Sequence, residues 1–283
     1  MLGLAGLAAA RPRQPPKKIV FPVLGHAQYT DDFGAPRPQG RHQGNDIMAS
    51  RKALALAVEP GRVKFWTSSS AAGCMLYLYG ASGTTYYYIH LNNDLGRGND
   101  NRGRCVPGTA YAKGLRSGSR VAAGQPVGFV GDSGDANGIQ PHLHFELHPG
   151  GGHAVSPYRW LRTATHLLYA APPDTVVYLA LKGTVLEANE FGNLRILVND
   201  VRTYPMGQHT SRLRRPLVLE ASSATVQSVD VKGHRARAAR LDASKKGQRV
   251  KIWTLPQPTS HAMQQGDDLA LEVALAVLTR PSR

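Results

Sequence analysis

The chain has 283 residues, 42% of them hydrophobic, which is enough for one large or two ordinary units with real cores. No apolar run reaches the roughly 18 residues that a membrane-spanning helix needs. A formal net charge of +15 points to an anionic partner, whether nucleic acid, an acidic lipid surface or the anionic polymers of a cell wall, and composition does not choose among them.

Met1 to Ala10 is apolar and ends in small residues before Arg11-Pro12-Arg13, the pattern of the end of a secretory signal, although it has no basic start. Residues 1–18 are therefore expected to be a signal remnant or a flexible basic tether. From residue 19 to 165 short strands and turns dominate, with 30 Gly and 19 Pro in the whole chain. Ala53 to Val58 is apolar throughout and fits a buried strand, and Arg62 to Trp66 alternates as a half-buried one does. Cys74–Tyr79 and Thr84–His90 flank Gly80-Ala81-Ser82-Gly83, a hairpin signal. Asn92 to Ser119 is polar and Gly-rich and reads as a long functional loop. Val121 to Val130 resumes strand character, and Ser156 to Leu161 is expected to begin a short helix. Cys74 and Cys105 either pair in an exported protein or are two unrelated thiols; the pair is expected to pin the long loop.

Ala170 to Asp174 reads as a linker. Beyond it lies a mainly β unit over 175–278, with strands expected at Thr175–Leu181, Thr184–Glu187, Leu194–Val198, Leu217–Glu220, Thr225–Val231 and Arg249–Thr254. Leu269 to Val277 fits a strand or a helix equally. A small β-barrel, with an OB-like form as the candidate, suits the string Leu241 to Trp253.

Pro141 to Leu147 organises the first unit. As a strand it turns Leu143, Phe145 and Leu147 to one face and His142, His144 and Glu146 to the other. Two imidazoles on a rigid strand suit a metal, or a metal with a proton carrier. Arg41-His42-Gln43-Gly44-Asn45-Asp46 adds a histidine and a carboxylate four apart. Two His and one carboxylate leave a fourth position open, as a catalytic zinc site does.

These strings resemble the LytM/lysostaphin-like family of zinc metallopeptidases that cut peptidoglycan peptides. The HxxxD motif is His42 to Asp46 and the HxH motif is His142 to His144. The tyrosine-rich strand ending in His-Leu is Tyr86 to Leu91. The turns are Gly124 to Gly128 and Gly131 to Gly134. The resemblance implies an antiparallel β-sheet domain of the duplicated hybrid motif type and a Zn2+ cofactor. It implies His42, Asp46 and His144 as metal ligands, with His142 and His90 as catalytic histidines that do not bind the metal. Zinc would polarise a peptide carbonyl and activate water, one histidine acting as base and then acid and the other supporting the oxyanion. Which histidine takes which role stays open. Asn45 and Glu146 are candidates to support the ligands, and His26, His148 and His153 read as solvent or loop histidines.

The implied function is an exported endopeptidase of the cell envelope, secreted or periplasmic, acting on peptidoglycan peptides. The basic run Arg235, Arg237, Arg240, Lys245, Lys246, Arg249 and Lys251 suits anionic wall polymers, or single-stranded nucleic acid through an OB-like barrel. Two other readings are an inactive adaptor of another hydrolase, against which the complete ligand set speaks, and a carboxypeptidase acting on terminal D-Ala.

Overall fold

A computed structural model of the chain describes residues 15–38, 40–67, 69–172, 175–230, 235–260, 264–266 and 271–279. Most of the expected signal remnant or tether (1–14) and Pro173-Asp174 of the expected linker lie outside the described residues. No helix among the described residues is long and apolar enough to cross a membrane.

The main strands of the first unit are β1 (Asn45–Ala49), β2 (Leu54–Leu56), β3 (Gly61–Trp66), β4 (Cys74–Gly80), β5 (Thr85–Leu91), β6 (Pro126–Phe129) and β7 (His142–His148). The large sheet runs β1-β7-β5-β4-β3, with two-residue strands at Ala27–Gln28 and Arg120–Val121 on its edges, and every pairing is antiparallel. β2 and β6 form a separate antiparallel pair. Alternation along β7 sends Leu143, Phe145 and Leu147 into the core, all at 0% exposure, beside Leu76, Leu78, Tyr86 and Tyr88. Each such side chain contributes about 1.5–3 kcal/mol by leaving water. Tyr88 keeps its hydroxyl satisfied inside, donating to the Leu56 carbonyl (2.9 Å) and accepting from the Val58 amide (3.1 Å).

The Asn92–Ser119 segment is less of a solvent loop than its composition suggests. Ala110 and Tyr111 are fully buried within it, and a Cys74–Cys105 disulfide ties it to β4. Its polar part folds on its own carboxylates: Asp94 accepts from the Asp100 and Asn101 amides (2.7 and 2.8 Å). A short helix, α1 (Tyr158–Thr163), follows Pro157, within the stretch where one was expected to begin.

Ala170-Ala171 is not a free linker. Leu167 and Ala170 pack with Val20, Leu24 and Leu56 of the first unit, while Leu168, Tyr169 and Ala171 enter the core of the second. The apolar side chains of this strap serve two cores, and the Pro-rich composition hid that.

The second unit comprises β8 (Val176–Ala188), β9 (Asn193–Tyr204), β10 (His209–Glu220), β11 (Thr225–Val229), β12 (Ala236–Ala238), β13 (Arg249–Thr254) and β14 (Val273–Thr279). Their order is β10-β9-β8-β13-β14-β11-β12. A parallel bridge between Glu220 and Glu272 joins the end of β10 to the start of β14 and closes a five-stranded barrel. Three meandering strands, with the last strand inserted between the third and the fourth, give the connectivity of an OB-like barrel. The two expected strands 175–181 and 184–187 are one strand, β8, bulged at Lys182/Gly183. There a Cβ on Gly183 would stand 2.4 Å from the Leu197 carbonyl oxygen, so only glycine lets β9 pass. The ambiguous last segment is the strand β14, because closing the barrel needs an extended chain between β13 and β11.

Candidate functional site

β7 and β1 lie side by side, with His144 directly opposite Asp46. Antiparallel partners share a face, so the carboxylate meets the imidazole without further help. His42 reaches the same point because its segment crosses close over β7: a Cβ on Gly44 would stand 2.4 Å from the Phe145 carbonyl oxygen. Gly44 is therefore required by close approach, not by an unusual backbone angle.

Three donor atoms converge. His42 Nε2 lies 3.1 Å from Asp46 Oδ1 and 2.9 Å from His144 Nδ1, and His144 Nδ1 lies 3.0 Å from Asp46 Oδ1. Tetrahedral zinc with bonds of about 2.0–2.1 Å sets ligand atoms about 3.3 Å apart, so a cation fits after an opening of about 0.3 Å. The donor chemistry fits as well. His42 Nδ1 donates to the Asp32 carbonyl (2.9 Å) and His144 Nε2 donates to Glu146 Oε1 (3.0 Å). Both partners only accept, so in the neutral rings the lone pairs sit on the two converging nitrogens. Burial opposes charge on His144, and its bonds to Asp46 and Glu146 outweigh that, lifting the ring to about 9. Burial on Asp46 is likewise outweighed by His144 and His42, which hold its carboxyl well below the usual range. A divalent cation entering this cluster replaces protons.

His142 and His90 stand beside the triad. His142 Nδ1 donates to the Gln140 carbonyl (2.9 Å), and its Nε2 lies 3.8 Å from Asp46 Oδ1. His90 Nδ1 donates to the Ser133 carbonyl (2.8 Å), and the two rings are 5.1 Å apart. Each ring thus keeps Nε2 for the groove. Burial, followed by the charge of His142, lowers His90 to about 4, so it is neutral near pH 7. Simple alternation would put His90 with Tyr86 and Tyr88 in the core. A bulge between the Leu76–Tyr88 and Cys74–Leu91 pairings adds one residue to β5, and His90 takes φ +60°. The bulge re-aims the ring into the site.

Asn45 does not touch the triad with its side chain. It is fully buried and donates to the Thr30 carbonyl and to Asp32 Oδ1, bracing the residue that orients His42. Glu146 has the supporting position expected of it. His148 is not a solvent histidine: it is 9% exposed, donates to Glu146 Oε2 (2.7 Å) and stacks on Tyr87 at 4.1 Å. It shares the polar face of β7 by the same period of two that places His144. His26 and His153 are exposed, as expected.

Sequence reasoning missed three residues. Asp32 and Arg37 carry no motif; Arg37 donates to the free oxygen of Asp46 (2.7 Å). Arg51 bridges two carboxylates of zero exposure, Asp94 and Asp132, and so ties the long loop to the segment carrying Ser133 and hence to His90. The only signal was the Gly-Asp-Ser-Gly string at Gly131 to Gly134. The site opens into a groove of about 810 Å³, lined by Arg37, Ile89, Ile139 and the histidines. On the same sheet face, stacked rings continue from His148 through Tyr87 and Tyr77 to Trp66.

No family model matches the chain. An L-Ala–D-Glu endopeptidase of Bacillus subtilis is 26% identical over 153 residues, covering 50% of this chain and 42% of that protein, so the chain spans less than half the length of this curated relative. Among solved structures, a lytM protein of Ruminococcus gnavus aligns with a TM-score of 0.40 at 26% identity, over 51% of this chain and 59% of that one. The catalytic domain of lysostaphin from Staphylococcus simulans aligns with a TM-score of 0.37 at 22% identity, over 49% of this chain and 92% of that one. In its ordered motifs and its curated relative, the first unit of the chain is similar to the LytM-like peptidoglycan endopeptidases.

Proposed function

We propose that this protein is a zinc-dependent endopeptidase that hydrolyses peptide bonds in peptidoglycan at the cell envelope. The observation that carries the reading is the convergence of His42 Nε2, Asp46 Oδ1 and His144 Nδ1 within 2.9–3.1 Å of one another, beside two further histidines. The same three residues stand out as a possible metal-holding group. Zinc held there supplies Lewis acidity towards a carbonyl and lowers the pKa of water. The rest is done by this chain. Asp32 and Glu146 fix the ring orientations of His42 and His144. His142, its Nδ1 anchored on Gln140, offers Nε2 as the proton acceptor and then donor. His90, anchored on Ser133, offers Nε2 towards the developing oxyanion once it carries a proton, or orients water when it does not. The disulfide supports an oxidising, exported setting, and the curated relative supports a peptidoglycan substrate.

The test is digestion of purified peptidoglycan with mass analysis of the products, alongside metal content. About one zinc per chain is expected. His144→Ala should lose zinc and activity together, whereas His142→Ala should keep most zinc and lose activity. Equal zinc loss in both variants, or intact peptidoglycan after incubation with zinc-loaded protein, overturns the reading.

A further inference from the structure

The basic run of the sequence does not form one patch. Arg235 and Arg237 belong to the β12 hairpin and Lys245 closes on Asp242, while Arg249 and Lys251 stand on β13. Those last two join other residues. In register across the barrel, Lys182 lies between Asp200 and Lys251, and Ala180 lies between Arg202 and Trp253. Tyr178 opposes Tyr204, and their rings stack at 4.9 Å with 12° between planes. Val177, Leu179 and Leu181 fill the barrel core, so the residues alternating with them share its outer face. Lys182, Arg202, Arg249 and Lys251 are exposed, and none forms an ion pair among the described residues. The nearby acids have other partners: Asp200 bonds to His209 Nε2 (3.0 Å) and Glu187 pairs with Arg195.

This face spans about 13 Å along β8 and about 10 Å across β9-β8-β13. It presents an apolar ring platform at one end and unpaired cations at the other. Resting on the reading that peptidoglycan is the substrate, we propose that this outer face of the barrel is a second binding site for the peptidoglycan strand, separate from the zinc groove. Its ring platform takes the sugar faces, and Lys182, Arg202, Arg249 and Lys251 take the carboxylates of the stem peptides. An OB-like barrel uses its second and third strands for oligosaccharides as well as oligonucleotides, and Arg202 and Tyr204 lie on the second. A sequence-tolerant site for single-stranded nucleic acid needs several separate faces on which successive bases stack. Here Tyr178 and Tyr204 spend their inner faces on each other, which favours a sugar polymer with scattered negative charge.

The experiment uses the full chain and purified sacculi stripped of covalently attached anionic polymers, read by pelleting at low and high salt. Lys182→Ala/Arg202→Ala/Lys251→Ala should weaken pelleting about tenfold at low salt, as three exposed charge contacts together would, with little change at high salt. Tyr178→Ala should weaken it at both. Lys182→Arg/Lys251→Arg should pellet like the parent, which guards against loss through misfolding. Both triple variant and parent should cleave a small soluble stem peptide with the same kcat/KM. Unchanged pelleting of a triple variant with native melting overturns the proposal. So does a loss confined to walls that retain phosphate polymers, or to a single-stranded oligonucleotide. Failure of the parent itself to cleave the peptide strikes the peptidase reading instead, and is read separately from the pelleting.

Discussion

Replacing Arg51 with methionine tests how the site is held. Asp94 and Asp132 have zero exposure, and Arg51 pairs with both. The two would not suffer equally. Asp94 keeps its two backbone amide donors, whereas both oxygens of Asp132 bond only to Arg51 among the described residues. The variant therefore strands one buried carboxylate rather than two. Breaking a buried pair in this way costs about 3–5 kcal/mol. For a chain of this size that is a fall of about 6–20 °C in Tm. Asp132→Asn in the Arg51→Met background removes the stranded charge and should recover more than half of the loss. Because Ser133 follows Asp132 and holds His90, turnover should drop further than zinc content does. Urea and thermal melts with metal analysis of the same samples measure all three. A cost below about 1 kcal/mol, the value of an exposed pair, would refute the reasoning, as would a double variant no more stable than the single.

Glu146→Ala frees the His144 ring and should weaken zinc about 10–100-fold by chelator competition. Cys74→Ala/Cys105→Ala opens a link spanning 31 residues; the loop-entropy model gives a loss of about 3.5–4 kcal/mol in a urea melt. The last expectation concerns pH in the metal-free protein. Burial, with the charge of His142, holds His90 to about 4 in the folded state, against about 6.5 unfolded. The unfolded chain binds more protons between these values, so stability should fall as pH drops from about 6.5 to about 4, by up to about 3 kcal/mol from this residue. His90→Gln should flatten that part of the stability curve, and an unchanged slope would place the proton uptake elsewhere.

Much of the site was legible in the sequence because its parts are local. The period of two along His142–His148 fixes which residues face the core and which face the groove, and four-residue spacing brings His42 to Asp46. Glu146 followed from the same period, and so would His148 have done. What the sequence could not decide was set by register between distant strands. The single extra residue in β5 opposite Cys74–Leu76 turns His90 from the core into the groove, and no local pattern announces a bulge that exists only against a partner strand. Asp32, Arg37 and Arg51 act through contacts that form only when separate segments meet. In the second unit, the strands were legible from their composition, but barrel closure through Glu220 and Glu272 was not, since it joins chain ends 52 residues apart. Nor was the split of one basic run between a hairpin, a turn and an aromatic-bearing face. Side-chain period is written into a few neighbouring residues, whereas pairing register and charge neighbourhood are properties of the packed whole.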